Sequence, residues 1–202
     1  MNRDKLYLPG LADEEFIREP GVPMTKNEIR VLSLAKLRLF SAAVIYDVGS
    51  GTGSIAIECK LLFPDSQVFA VERDARALRL IGLNSEKFGI ELNLIAGNAP
   101  EALADLPPAD RIFIGGSGGN LTDIIEMSDK KLKARGWMVI NTISLKNSAQ
   151  AFEGLEAKGY RVEAIQVNIA LSKTLGSSTV WQARNPVTII AGRKEEELSA
   201  LW

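Results

Sequence analysis

The run Asp47-Val-Gly49-Ser-Gly51-Thr-Gly53 constrains this chain more than any other stretch. It follows a short β-rich segment, Val44–Val48, and precedes a helical pattern over 54–63. Glycines at alternate positions let a backbone turn sharply and pass close to a ligand. Strand, glycine turn and helix together open a doubly wound α/β fold. There the first N–H groups of the helix are expected to face an anionic part of the ligand. The same turn also occurs where nothing binds, so it needs support from the rest of the chain.

The support is an alternation of periods. Gln67–Glu72 reads as a second strand, 74–88 as an amphipathic helix opened by Asp74 and closed by Gly89, and 92–96 as a third strand. A short helix over 100–106, a strand over 111–114, a helix over 121–134, a strand over 137–142 and a helix over 145–158 follow. Before the glycine loop, Thr25 and Glu28 stand at capping-box spacing and predict a helix over 25–40. Residues 1–24, rich in Pro, Gly and charge, read as an irregular arm. After 158 the rhythm changes. Strands over 160–170 and 187–192 have no helix between them, only 173–185. The expected fold is α/β, Rossmann-like: a mostly parallel seven-stranded sheet, helices on both faces and an antiparallel edge hairpin. The charged tail, 193–202, reads as a short helix or a frayed end, and one domain is expected over 1–202.

Composition removes whole classes of chemistry. With no histidine, no Ser-His-Asp or Cys-His unit can form, and imidazole metal ligation is excluded. A single cysteine, Cys59, permits no internal disulfide and fits core packing better than nucleophilic attack. A formal net charge of −1 gives no global drive toward nucleic acid or an anionic membrane. No segment reads as a signal peptide or a membrane span, so a cytoplasmic protein with no bound metal is expected.

What the loop holds is narrowed by its neighbours. The spacing is GxGxG rather than GxGxxG, and Asp47 ahead of it would repel a pyrophosphate while suiting an ammonium. Glu72, at the end of the second strand, stands where an acidic residue takes two ribose hydroxyls. Gly97-Asn98-Ala99, after the third strand, can reach an adenine edge, and an amide both donates and accepts. A ligand with a ribose, an amino group and a carboxylate fits better than NAD. S-adenosyl-L-methionine has all three, which points to a class I S-adenosylmethionine-dependent methyltransferase.

The substrate side lies after the fourth strand, at Gly115-Gly116-Ser117-Gly118-Gly119. Four glycines and a serine remove side-chain bulk and bare backbone N–H groups, which suits a large flat substrate bearing carboxylates, though a flexible connection would look the same. No NPPY-like sequence stands there, and Asn185-Pro186-Val187 lies elsewhere. Gly21-Val-Pro-Met-Thr25-Lys26, the glycine loop, Gly97-Asn-Ala-Pro100, Ile112-Phe-Ile-Gly-Gly-Ser-Gly-Gly119 and Asn185-Pro-Val187 occur in that order. The set resembles the cobalt-precorrin C15-methyltransferase (decarboxylating) family of cobalamin biosynthesis, and the C-terminal half of the fused precorrin-6 methylase. The resemblance implies methylation of C15 of a tetrapyrrole with loss of CO2 from the ring-C acetate. It places cofactor contacts at Thr25, Gly49, Ser50, Gly51, Thr52, Gly53, Glu72 and Ala99; the residue reading adds Asp47 and Asn98 on the cofactor side and Gly115, Gly116, Ser117, Gly118 and Gly119 on the substrate side. It names no catalytic side chain. It further implies a homo-oligomer, usually a tetramer, and leaves room for a separate C5-methyltransferase. Two departures are Asn98 for an acidic residue and Lys133-Ala-Arg-Gly136 for a Lys-Pro-Gly-Gly turn. For the substrate carboxylates Arg18, Lys26, Lys173 and Arg184 are candidates. The competing readings are a methyltransferase for RNA or protein, and a non-catalytic interaction subunit that keeps the cofactor fold.

Overall fold

The computed structural model describes residues 8–196. Its strands are β1 Val44–Val48, β2 Gln67–Glu72, β3 Asn93–Ala96, β4 Ala109–Ile114, β5 Leu132–Thr142, β6 Tyr160–Val167, β7 Ala170–Leu175, β8 Ser178–Ala183 and β9 Val187–Lys194. Its helices are α1 Asn27–Leu37, α2 Ser54–Leu62, α3 Ala75–Phe88, α4 Leu121–Lys131 and α5 Leu145–Glu156. Seven strands form one sheet in the order β3-β2-β1-β4-β5-β9-β6. β1 to β5 pair in parallel, and β9 alone runs antiparallel, to both β5 and β6.

Side chains alternate across the sheet with period two, so each central strand feeds two cores. Tyr46, Ile112, Ile114, Met138 and Ile140 face α4 and α5. Ile45, Phe113, Val139 and Ile189 face α1, α2 and α3. Helices cover both faces, which is why β1 carries four fully buried residues in a row. Helix α2 is buried almost all round, with Ile55, Ala56, Ile57 and Cys59 inside.

Three expectations need correction. Thr25 does not cap α1: the cap position is Lys26, without a side-chain bond, and the Asn27 N–H is taken by Asp13 Oδ1 at 2.9 Å. The cap comes from the arm, which local spacing does not reveal. Helix α4 stops at Lys131, because Leu132 is buried and already pairs with Ala109. The expected antiparallel edge hairpin is present as β6 with β9, β6 forming the edge and β9 lying between it and β5. Residues 173–185 are not an unstructured link. β7 and β8 form a separate two-stranded ribbon, turned at Gly176 with φ +60°, and every residue of both strands is exposed. The tail's expected end, from 197 onward, lies outside the described residues.

The arm is fastened by a charge that composition could not reveal. Arg30 is fully buried, with its Nε 2.5 Å from Glu58 Oε1 and its Nη1 3.3 Å from Asp13 Oδ1. It also donates to the carbonyls of Thr25, at 2.6 Å, and of Leu11. Glu58 in turn accepts from the N–H groups of Gly10 and Leu11, at 2.7 and 3.1 Å. A buried charge is tolerated only when paired and hydrogen-bonded in this way. The network carries residues 21–26 over the glycine loop, where Thr52 N–H donates to Pro23 O at 3.2 Å.

Candidate functional site

The carboxyl ends of β1, β2, β4 and β5 deliver the glycine loop, Glu72, the loop after β4 and Asn141 to one end of the sheet. Two adjoining cavities open there. The first, of ≈ 270 Å³, is bounded by Gly49 and Gly51, by Glu72 and Arg73, by Gly97, Asn98 and Ala99, and by the loop after β4. Val48, Val71 and Ile124 supply its apolar walls. The second, of ≈ 320 Å³, is lined by Thr25, Lys26 and Ile29 from the arm and α1, by Ile114, Ile140, Asn141 and Ile143, and by Leu121 and Val187. Pro23, Gly115, Gly116 and Ser117 line both.

Close backbone approach explains the glycines between them. Gly49 has φ +71°, and a Cβ there would come 2.6 Å from Gly116 O. Gly51, at φ +57°, would place a Cβ 2.3 Å from Pro23 O. Both positions exclude side chains on two grounds at once. Gly118 and Gly119 also have positive φ, +56° and +94°, whereas Gly116 has none and its Cβ would meet nothing closer than 3.9 Å.

Of the positions expected to contact a cofactor, Gly49, Gly51, Glu72, Asn98 and Ala99 line the first cavity. Thr25 lines the second instead. Asp47, Ser50, Thr52 and Gly53 line neither and lie buried beneath the loop. On the substrate side, Gly115, Gly116 and Ser117 reach both cavities, Gly118 only the first, and Gly119 neither.

Asp47 differs from its sequence reading. Its Oδ2 accepts from Ala56 N–H at 3.1 Å, inside the first turn of α2, so it serves the helix start rather than an exposed ammonium. The N-terminal end of α2 is thereby occupied from within, and Ser54 Oγ turns to Thr25 O. Asp47 Oδ1 has no hydrogen-bond partner among the described residues. Burial pushes this carboxyl up to about 7, against the Ala56 N–H, which holds it down. Cys59 is fully buried, and burial raises its thiol well above the usual range, which removes it from nucleophilic chemistry.

Glu72 is held as a fixed acceptor. Oε1 takes the N–H groups of Arg73 and Asp74 at 2.8 and 3.0 Å, and Oε2 takes that of Gly51 at 2.9 Å. A carboxylate has about four acceptor sites, so one remains for a hydroxyl. With Asn98 alongside and apolar walls for a flat ring, the cavity suits a nucleoside: a ribose hydroxyl to carboxylate, ring edge to amide.

The candidate cations divide. Arg184 is paired with Glu28 at 2.9 Å, and Lys173 stands on the exposed ribbon. Arg18 lines neither cavity, while Lys26 lines the second. Sequence reasoning missed Arg73, which lines the first cavity with its guanidinium 2.9 Å from where a Cβ on Gly118 would stand. It also missed Asn141, on which Ser33 Oγ acts: Asn141 Nδ2 donates to it at 2.8 Å. Pro23 stood in a noted motif, but only the folded arm brings it to the shared wall.

Comparison with known proteins agrees with this geometry. Residues 16–194 match a family model described as the precorrin methyltransferase domain. The cobalt-precorrin-6B C(15)-methyltransferase (decarboxylating) of Salmonella typhimurium is 39% identical over 188 residues, which cover 92% of this chain and 97% of the relative. The crystal structure of a precorrin-6y C5,15-methyltransferase from Geobacter metallireducens superposes with a TM-score of 0.86 at 41% identity, covering 92% of this chain and 98% of the other. A precorrin 8W decarboxylase from Methanobacterium thermoautotrophicum gives 0.83 at 34% identity, over 90% and 98% of the two chains.

Proposed function

The chain belongs to the precorrin methyltransferase family, and on that premise we propose that it methylates C15 of a cobalt-precorrin tetrapyrrole and removes CO2 from the ring-C acetate, in cobalamin biosynthesis. Its fold is that of the class I S-adenosylmethionine-dependent methyltransferases. The observation that carries the reading is the pair of cavities joined at Gly115, Gly116 and Ser117. One fits a nucleoside, the other a broad apolar body, and the wall between them is almost free of side chains.

S-adenosyl-L-methionine, when bound, supplies an electrophilic methyl group. The chain's residues do the rest by placement. Glu72 would take a ribose hydroxyl, Asn98 and Ala99 would take the adenine edge, and Gly49 and Gly51 would allow the ligand close to the backbone. Gly115, Gly116 and Ser117, which line both cavities with little side-chain bulk, would stand between the bound methyl donor and the substrate carbon. Ile29, Ile114, Leu121 and Ile140 pack the macrocycle and exclude water. Alignment of two reactants alone supplies effective molarities of about 10⁵–10⁸ M, so the site needs few polar groups.

The match of residues 16–194 to the precorrin methyltransferase domain and the apolar residues of the second cavity favour this substrate over RNA. Intact Glu72 and the open cleft support catalysis over a purely structural subunit. We place the enzyme in the cytoplasm, with C5 methylation left to a separate enzyme, and as a homo-oligomer of tetrameric kind. The ribbon β7–β8 supports assembly, since a lone two-stranded ribbon exposing Leu175 and Trp181 is marginal by itself. Light scattering at micromolar concentration would show a monomer if this is wrong.

Competition binding tests the two-cavity reading. S-adenosylhomocysteine and cobalt-precorrin-6B are expected to bind together, neither displacing the other. Mutual displacement would mean that one cleft holds both and would refute the reading.

A further inference from the structure

The two halves of the reaction exchange a proton, and one side chain stands where it can carry it. When C15 gains a methyl group, the new C–C bond takes a pair from the ring, and the pair of the C15–H bond returns to the ring as the proton leaves. When CO2 departs, the acetate C–C bond breaks and its pair stays on the exocyclic carbon, which becomes a methyl group by taking a proton. One proton is released and one is consumed. No oxidant, reductant or net acid is required, but a group must move the proton between two carbons in an apolar cavity.

We propose that Lys26 is that group, an inference that rests on the second cavity being the tetrapyrrole site. Among the described residues, Lys26 is the one ionisable side chain lining that cavity. The chain has no histidine, and its only cysteine is buried in the core. The other polar residues there, Thr25, Ser117, Asn141, Thr142 and Asn147, do not exchange protons with carbon near neutral pH. Lys26 caps α1 with an extended backbone, three residues from Pro23, which stands at the wall both cavities share. Its Nζ lies 3.5 Å from Asp13 Oδ2, and its side chain is 39% exposed. Asp13 is itself fixed by Arg30 and by Asn27 N–H. The lysine is thus tethered by a carboxylate held in place from two sides, yet open to the cavity. Its ammonium gives a proton to the exocyclic carbon as CO2 leaves, and the resulting amine takes the proton from C15. The ammonium is restored at the end of each turnover.

Charge anchoring of a substrate carboxylate is the alternative role, and arginine separates the two. A guanidinium keeps the charge and the Asp13 pair but does not give up its proton. The full-length protein with Lys26→Arg and with Lys26→Met is compared with wild type by melting, S-adenosylmethionine titration, cobalt-precorrin-6B titration and turnover. Both variants are expected to melt and bind S-adenosylmethionine as wild type does. Lys26→Arg is expected to hold the tetrapyrrole normally while kcat falls about 10²-fold or more, the scale of general acid–base catalysis. Small primary amines added to Lys26→Met should restore part of that kcat. Wild-type kcat in Lys26→Arg would make the residue an anchor and overturn the proposal, as would wild-type kcat in Lys26→Met. A Gly116→Val control tells the two failures apart. Unchanged tetrapyrrole binding in that variant would instead overturn the site assignment.

Discussion

Gly49 and Gly116 face each other across the wall between the cavities, and replacing each should fail in opposite ways. At Gly116 a Cβ would lie 3.9 Å from Gly49 Cα and Gly49 O, in ordinary contact, with no left-handed φ to violate. Gly116→Val should therefore cost the fold at most about 1 kcal/mol, close to the range for exposed positions. That is a melting shift of at most about 4 °C for a chain of this size. The added methyl groups enter the opening shared by both cavities. A displacement of about 1 Å in the substrate costs about 10²-fold in rate, so methyl transfer should fall by at least that much. S-adenosylmethionine affinity should change by less than about 1 kcal/mol, because Glu72 and the adenine end are untouched. Gly49→Ala is the contrast. Its φ of +71° and a Cβ 2.6 Å from Gly116 O make two separate penalties. The first is worth about 1–2 kcal/mol and the second about 1–3 kcal/mol. The melting temperature should drop by roughly 4–20 °C. Differential scanning calorimetry, isothermal titration and turnover assays on the two variants read all three quantities. A folded Gly116→Val with wild-type turnover would refute the placement of substrate at this wall. A Gly116→Val that melts as early as Gly49→Ala would refute the backbone argument.

Glu72→Ala should weaken S-adenosylmethionine by about 1.5–3 kcal/mol and also lower the melting temperature, since three backbone N–H groups lose their acceptor; calorimetry with unchanged affinity in a folded variant would remove Glu72 from the site. Arg30→Met should cost about 3–5 kcal/mol by leaving Glu58 buried without a cation and Asp13 with Lys26 alone, and urea denaturation with a midpoint near wild type would contradict that. Asp47 binds its proton more tightly folded than unfolded, because burial raises it to about 7 from an unfolded value of 3.8. Its contribution to stability is full below the unfolded value and is lost as pH rises through about 7. Melting curves from pH 5 to 8 should therefore show wild type losing stability relative to Asp47→Asn, and parallel curves would contradict the raised carboxyl.

The sheet was legible because its strands are short β-branched runs that neighbouring helices bury on both sides. β1 and β2 came out with their residue limits, and α3 announced both its Asp74 cap and its Gly89 stop. Pairing order was not legible: nothing local tells that β9 inserts between β5 and β6. The ribbon carried a signal that went unread, a two-residue Gly176-Ser177 turn between polar β-prone segments. The glycine loop and Glu72 were legible as types, because conformational freedom and a carboxylate at a strand end have few other uses. The side of the wall on which each residue falls was not. Thr25 and Asp47 both stood in promising motifs, yet one lines the second cavity and the other turns into α2. The placement of Thr25 follows from the arm, which a buried Arg30 ties down through contacts 17 and 28 residues away.

The most direct test of the central claim is a count of products. The protein is incubated with methyl-labelled S-adenosylmethionine and cobalt-precorrin-6B, and the label in the tetrapyrrole and the CO2 released are measured together. One methyl group at C15 and one CO2 per tetrapyrrole are expected, with neither product when S-adenosylmethionine is left out. Label transferred without CO2, or to a carbon other than C15, would contradict the account.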